Sequence, residues 1–249
     1  MLLQRLMANH CMSTKEVTRT FESLVASGND YMDENEDEEG TVNFAEGDAT
    51  IMGPGINTLQ EAFVSINRQL KPGFGLEIVT MVDTSGKSAK HFHAVVNTAA
   101  DEIARSESVF AKSWNPHERA FVRLVMGALV DLSNNNSNDD DEEEEDDEDE
   151  NRTSNKNSSE IGIRRADLIN LRSEIPGGFK LNLDQAERVI AVLLDEKWLR
   201  VSASAEKNRR DSVQVMIELA PRSYMELYHY IAGLGMEVDK FPQFLYHRD

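Results

Sequence analysis

Phe74-Gly75-Leu76-Glu77-Ile78-Val79-Thr80-Met81-Val82 is the most informative stretch of the sequence. Its β-branched and apolar residues predict a strand, and the turn Asp83-Thr84-Ser85-Gly86-Lys87 follows directly. Residues 92–98 form a second predicted strand, so the whole segment predicts a β-hairpin. Three helices are predicted before it. This order is typical of a winged helix, in which the hairpin is the wing.

The three helices have recognisable starts and ends. The first carries four apolar residues at helical spacing: Leu2, Leu3, Leu6 and Met7. The second begins at the capping-box sequence Ser13-Thr14-Lys15-Glu16. The third is predicted to begin at Asn57, with Gln60 three residues later, and to end at Lys71-Pro72-Gly73. Residues 28–56 between them are acidic and rich in Gly and Asn, which predicts a loop.

The same order recurs after residue 100. Asn115-Pro116-His117-Glu118 is a complete helix start, a helix is predicted over 164–173, and Asn182 with Gln185 caps the next helix. Strands at 198–201 and 213–219 close the second hairpin. The predicted fold class is α+β, mainly helical, with tandem winged-helix domains and long acidic insertions. Domain A covers 1–100 with its loop at about 28–56, domain B covers 101–240 with its loop at about 133–159, and 241–249 form a C-terminal tail.

Composition limits the functions open to the chain. The formal net charge of -19 belongs to two acidic runs, within 30–39 and 139–150, and the rest is near neutral. The single cysteine, Cys11, excludes an intramolecular disulfide and a cysteine-based zinc cluster. The N-terminus lacks a secretory core, and no apolar run is long enough to span a membrane. The predicted compartment is therefore the cytosol or the nucleus.

The motifs that carry chemistry are incomplete. Ser85-Gly86-Lys87-Ser88 resembles the end of a phosphate-binding loop, but Met81 stands where an earlier glycine is needed. His91 and His93 lie on one face of a predicted strand without a third ligand, so paired surface histidines are the favoured interpretation. No catalytic residue, metal ligand or cofactor is predicted for this chain.

Basic residues make domain B the candidate for nucleic-acid contact. They are Arg164 and Arg165 near its second helix, and Lys207, Arg209 and Arg210 in the predicted wing. The helix over 184–196 carries four acidic residues, which would repel phosphate: Asp184, Glu187, Asp195 and Glu196. Weak, non-specific DNA contact through the wing is predicted. A DNA-binding winged-helix regulator is kept as the alternative function.

Several segments resemble the family of the non-SMC element 1 subunit of the SMC five-six genome-maintenance complex. They are Leu2–His10, Phe74–Ile78, Ala94–Thr98, the helix around Phe121, Leu193-Leu194-Asp195-Glu196-Lys197-Trp198-Leu199, and Arg222-Ser223-Tyr224-Met225-Glu226-Leu227. The resemblance covers nearly the whole chain and is interrupted by the two acidic insertions.

The resemblance implies an interaction subunit in the nucleus. Such a subunit docks a MAGE-family partner through its winged helices and, through that partner, a kleisin subunit, in a complex for DNA repair and recombination. Family members normally end in a RING-type zinc domain that supports ubiquitin transfer. This sequence has no Cys-x-x-Cys and stops about where that domain begins. No RING zinc and no ubiquitin-ligase activity are therefore expected of the chain as given.

Apolar residues near the two chain ends are the predicted partner contacts. At the N-terminal end they are Leu2, Leu3, Leu6 and Met7, and at the C-terminal end they are Phe244 and Leu245. The reason is physical: a subunit that holds a stable partner needs exposed apolar surface, and aromatic residues near a chain end are expected to pack against something.

Overall fold

The computed structural model describes residues 1–33, 58–85, 88–98, 114–135, 162–178, 180–202 and 215–247. These residues form an α+β fold that is mainly helical with small antiparallel sheets, as predicted. The chain divides into unit 1, Met1–Ala99 with Pro242–Asp249, and unit 2, Ala100–Phe241. Residues 242–249 thus belong to unit 1, and the separate tail predicted over 241–249 is not observed. Within the described ranges, no helix is long and apolar enough to cross a membrane.

Unit 1 begins with six elements. They are α1 (Leu2–Asn9), β1 (Cys11–Ser13), α2 (Thr14–Asp33), α3 (Leu59–Phe74), β2 (Leu76–Asp83) and β3 (Lys90–Asn97). The predicted hairpin is confirmed: β2 pairs antiparallel with β3, with Val79 opposite Ala94. The short strand β1, which the sequence did not suggest, pairs with β3 on its other side.

Unit 2 has the same order of elements. They are α4 (Pro116–Asn135), β4 (Ile163–Arg164), α5 (Arg165–Asn170), 3₁₀ turns at Leu171–Ser173 and Pro176–Gly178, α6 (Leu183–Asp195), β5 (Leu199–Val201) and β6 (Met216–Leu219). Then follow α7 (Pro221–Glu226), α8 (Tyr228–Gly233) and a 3₁₀ turn at Val238–Lys240. The helix predicted over 164–173 is thus a two-residue strand, a short helix and a 3₁₀ turn.

The two sheets share one strand order. Unit 1 has β1-β3-β2 followed by β7 (Gln243–Tyr246), and unit 2 has β4-β6-β5. Strand β7 pairs antiparallel with β2, with Thr80 opposite Leu245. Unit 2 is therefore an insertion between the third and fourth strands of the unit 1 sheet. The acidic insertions predicted within 28–56 and 133–159, and the wing at 203–211, fall almost wholly outside the described residues.

Side-chain caps fix where the helices begin. In α6, Asn182 and Gln185 form the predicted capping box, with Gln185 N donating to Asn182 Oδ1 over 2.8 Å. Helix α3 differs from the prediction, because Thr58 and Glu61, rather than Asn57 and Gln60, make its box. This one-residue shift leaves the side chain of Gln60 free to contact residues outside its own helix.

Helix α3 also ends later than predicted. Pro72 lies inside its last turn, and the helix continues to Phe74. Gly75 closes it with a φ of 64°, in the left-handed region, and donates its N–H to Lys71 O over 3.1 Å. Because glycine adopts this conformation without a steric penalty, the chain turns there directly into β2.

Each unit has its own apolar core. The unit 1 core joins α1, α2, α3 and the sheet through Leu2, Leu6, Met12, Val17, Phe21, Ala62, Phe63 and Ile78. The unit 2 core is larger and includes Phe121, Val125, Leu129, Leu168, Ile190, Leu193, Trp198, Leu199, Ile217 and Ile231. Apolar burial of this kind is the main favourable contribution to the stability of both units.

A buried arginine joins two of the segments that carry the family resemblance. The Arg222 guanidinium stacks over the Trp198 ring, 3.6 Å from its centroid, and donates to the Glu196 carbonyl oxygen. Its Nε donates to Glu226 Oε1 over 2.9 Å. Burial raises the pKa of Glu226, and Arg222 acts against that shift. The network connects the end of α6 to α7 and orders both segments.

Replacing this arginine tests the network. Arg222→Ala leaves the Glu226 carboxylate buried without its partner, so the free energy of unfolding of unit 2 should fall by about 3 kcal/mol. Arg164→Ala is the matched control, because Arg164 pairs with Asp167 at the surface. This substitution should lower the free energy of unfolding by less than about 0.5 kcal/mol. Urea unfolding followed by tryptophan fluorescence reports unit 2 alone, since both tryptophans lie in it. Equal effects of the two substitutions on the free energy of unfolding would contradict the stabilising role of the Arg222 network.

Candidate partner-binding surfaces and a buried polar cluster

Helix α1 turns its apolar residues to two different sides. Leu2 and Leu6 are 3% and 0% exposed and lie in the unit 1 core. Leu3 is half-buried, whereas Met7 is 52% exposed. Residues four apart share a helix face, so Leu3 and Met7 form the outer stripe. The prediction that Leu2 and Leu6 contact a partner is corrected, because both side chains are already buried within unit 1.

The C-terminal candidates lie on β7. Phe244 is half-buried, and Leu245 and Tyr246 are 38% and 51% exposed. Strand β7 borders β2, whereas α1 packs against β1 and β3 toward the other edge of the sheet. The structure therefore does not bring the two predicted groups together, and each must be considered as a separate surface.

Of the predicted nucleic-acid residues in unit 2, two lie among the described residues and three do not. Arg164 is exposed and its Nε donates to Asp167 Oδ2 over 2.7 Å. Arg165 is half-buried, and its backbone N–H donates to Val215 O over 2.8 Å. The three wing residues Lys207, Arg209 and Arg210 lie outside the described residues.

Other arginines of unit 2 are held in ion pairs within the unit. Arg188 pairs with the buried Glu118, and Arg200 Nε donates to Glu218 Oε1 over 2.6 Å. Glu118 also accepts the Asn115 N–H over 3.0 Å, so the predicted start of α4 is confirmed and joined to α6. A guanidinium in such a pair is less available to a phosphate. The nucleic-acid surface that includes the wing therefore stays a prediction.

A polar cluster lies between the sheet of unit 1 and its helices, with Thr80, His93 and His247 buried at its centre and the exposed Thr14 and Gln60 at its two ends. Thr80 Oγ1 on β2 lies 2.7 Å from His93 Nδ1 on β3 and 2.6 Å from His247 Nε2, next to β7. His93 Nε2 lies 2.8 Å from Thr14 Oγ1 on α2. His247 Nδ1 lies 2.9 Å from Gln60 Oε1 on α3. Four hydrogen bonds therefore run in series through five side chains.

Helix α3 provides the remaining contacts around this cluster. The Phe63 ring lies 5.1 Å from the His93 ring and 4.9 Å from the His247 ring, centroid to centroid. Asn67 is buried; it accepts the Ile78 N–H over 2.7 Å and donates to the His247 carbonyl oxygen over 3.3 Å. The helix thus binds both the β2 backbone and the chain beyond β7.

Both imidazoles of the cluster are neutral at pH 7. The pKa of His93 is lowered to about 4, mainly by burial and to a smaller extent by charge repulsion from His247 and His91. Burial also lowers the pKa of His247 below its ordinary 6.5, while Glu77 acts in the opposite direction. The dominant cause in each case is that a buried site solvates the imidazolium poorly.

The sequence did not predict this cluster. The interpretation of His91 and His93 as paired surface histidines is wrong: His91 is exposed, whereas His93 is buried and both its ring nitrogens are within hydrogen-bonding distance of threonine hydroxyls. Across the described ranges, no three His, Cys, Asp or Glu side chains are grouped as a metal site requires. The one local signal was Asn67, a polar residue within the apolar stripe of α3.

Comparison with known proteins identifies the chain. The family model described as "Nse1 non-SMC component of SMC5-6 complex" matches residues 1–227 of the 249. The match defines the class of protein: a non-SMC component of an SMC-type complex. The chain belongs to the Nse1 family, and the resemblance seen in its sequence is confirmed.

A solved structure has a similar fold. A chain in the structure titled "Nse1-Nse3-Nse4 complex" matches with a TM-score of 0.54 and 19% identity, covering 92% of this chain and 71% of that chain. At this level of identity the likeness supports the fold alone. A comparison with curated protein sequences found no match.

Adjacent residues of α1 test which face belongs to the core. Leu6→Ala should lower the free energy of unfolding of unit 1 by about 3 kcal/mol, because it leaves a cavity at a fully buried site. Met7→Ala, the control, should change it by less than about 0.5 kcal/mol. Hydrogen exchange of unit 1 peptides during unfolding, followed by mass spectrometry, measures both. A larger effect of Met7→Ala would show that the faces are assigned the wrong way round.

Proposed function

We propose that both units are winged helices. In each unit the elements follow the order helix, strand, helix, helix, strand, strand, and the first strand pairs with the last. This arrangement makes α3 and α6 the third helices and the β2–β3 and β5–β6 hairpins the wings. In unit 1, β7 is added at the outer edge of this core arrangement.

We propose that the chain is an interaction subunit of the SMC5-6 complex. It binds a MAGE-family Nse3 subunit and, through it, a kleisin subunit, Nse4. The family match over residues 1–227 carries this proposal, and the similar chain in an Nse1-Nse3-Nse4 complex supports it. The corresponding biological role is DNA repair and recombination in the nucleus, as a chromosome-associated protein.

The surface that we assign to the Nse3-type partner is the outer stripe of α1. Leu3 and Met7 belong to it, and Met1, 56% exposed, precedes the same helix. Methionine suits such a surface because its flexible, polarisable side chain adapts to a partner. Leu245, on β7, belongs to a second and separate candidate surface.

Ubiquitin transfer is proposed only for a family member that carries the RING. These 249 residues contain one cysteine, the buried Cys11, and cannot supply the zinc ligands of a RING. The role that we propose for these residues is assembly. Its contribution to a RING-type ligase is to hold the partner.

Binding to a purified Nse3-type subunit tests the partner surface. The wild-type chain should form a one-to-one complex by co-purification and light scattering. Met7→Glu should weaken binding at least about tenfold, because it places a charge in an apolar interface. Val238→Glu is the control, since Val238 is 80% exposed but lies in unit 2. Failure of the folded wild-type chain to bind would contradict the function, whereas equal binding by Met7→Glu would contradict only the choice of surface.

Weak DNA contact by the second wing is a separate proposal. It rests on the three basic residues Lys207, Arg209 and Arg210, and a triple alanine variant should bind DNA more weakly and reduce the salt slope by about 2 to 3. Fluorescence anisotropy with two unrelated duplexes at several salt concentrations measures both quantities. A strong preference for one duplex would instead favour the alternative function, a sequence-specific DNA-binding regulator.

A further inference from the structure

The hydrogens of the polar cluster can be placed by counting donors. Thr80 has one hydroxyl hydrogen but lies between two imidazole nitrogens, so it donates to one and accepts from the other. Gln60 presents its carbonyl oxygen to His247 Nδ1, which must therefore carry a hydrogen. With both imidazoles neutral, the hydrogen on His247 Nδ1 determines where the other hydrogens of the cluster lie.

The result is a chain of hydrogen bonds with one direction. Thr14 donates to His93 Nε2, His93 Nδ1–H donates to Thr80, Thr80 donates to His247 Nε2, and His247 Nδ1–H donates to Gln60. Each imidazole is used on both sides, and the Thr14 hydroxyl also has the His91 carbonyl oxygen within reach as an acceptor, over 3.3 Å. A proton added at Nε2 of either histidine removes the acceptor of a threonine hydroxyl and places a charge in a poorly solvated site.

The cluster also selects the register of β7. Phe244, Leu245 and Tyr246 are three consecutive apolar residues, and such a strand specifies its pairing poorly on its own. A shift of two residues would keep the same faces but bring Leu245 to the place of His247. Leucine cannot bond to Thr80 or Gln60, so the shift would leave the buried Thr80 hydroxyl without its His247 acceptor, whereas the exposed Gln60 can bond to water instead.

Few charged groups act on the two imidazoles of the cluster, His93 and His247. On β3, His91 lowers the pKa of His93, and on β2, Glu77 raises that of His247. Glu77 is itself paired with Lys71 of α3, over 2.8 Å. Helix α2 contributes the uncharged Thr14 hydroxyl. None of these contacts places an unshared carboxylate against either imidazole.

We propose that this cluster is a proton-sensitive latch: neutral His93 and His247 hold β7 on β2 in a single register, and acidification releases β7 while α1, α2 and α3 stay folded. The latch explains why two histidines and a threonine occupy a site that apolar residues could fill. It concerns unit 1 alone and does not depend on the proposed partner.

Hydrogen exchange of the whole chain, followed by NMR, tests the latch through the protection factors of single amides. At pH 7, Thr80→Val keeps the shape of the side chain but removes the shared hydroxyl, so protection of the β7 amides should fall about tenfold or more. Protection of the core amides of Leu6 and Phe63 should stay within about twofold of the wild type. Thr80→Ser, which restores the hydroxyl, should recover the protection of β7.

The pH dependence follows from the direction of the two pKa shifts. Folding lowers both pKa values below 6.5, so the released form binds more protons as the pH falls from about 6.5 toward about 4. The latch is therefore closed above about pH 6.5 and weakens below it. Between pH 7 and pH 4.5, protection of β7 in the wild type should fall about tenfold or more.

Controls separate the latch from general acid unfolding. Amides of α6 in unit 2 should keep their protection over the same pH range, and a His93→Gln, His247→Gln double variant should lose the pH dependence of β7. Three results would overturn the proposal: unchanged protection of β7 in Thr80→Val, joint loss of protection in β7 and the core amides of unit 1, or an equal pH dependence in the double variant.

Discussion

The pairing of β7 with β2 is the constraint on which the organisation of the chain depends. It joins residues that are far apart in sequence: Thr80 and His247 are separated by 167 positions, yet their side chains share a hydrogen bond. Because of this pairing, unit 1 is discontinuous and unit 2 is an insertion within it. Loop-closure entropy opposes so distant a contact, so it needs specific bonds as well as apolar burial.

The two units share one arrangement of helices and strands but differ in how their side chains are used. Both place a short first strand beside the last strand of a hairpin, and both pack helices against one small sheet. In unit 2, the arginines near α6 and α7 are used in internal ion pairs, such as Arg188 with Glu118. In unit 1, α1 leaves an apolar stripe around Met7 exposed. The partner surface that we propose therefore lies in unit 1.

Local patterns predicted the parts of the fold that local interactions determine. The β2–β3 hairpin and the cap of α6 at Asn182 were correct, because turn chemistry and capping act over a few residues. The faces of α1 could not be assigned, since Leu2, Leu3, Leu6 and Met7 are all apolar and only packing distinguishes them. The polar cluster could not be predicted at all. Its members come from five separate segments, and no sequence spacing connects His247 to Thr80.

The insertion of unit 2 also has a consequence for synthesis. A ribosome completes β3 at Asn97 but must still make about 150 residues before His247 exists. At typical rates of elongation this takes roughly 7 to 30 seconds, far longer than a hairpin needs to form. During that interval the edge of β2 has no β7 to cover it, and an open edge can pair with the wrong strand. The nascent chain should therefore be most vulnerable to misassembly while unit 2 is being translated.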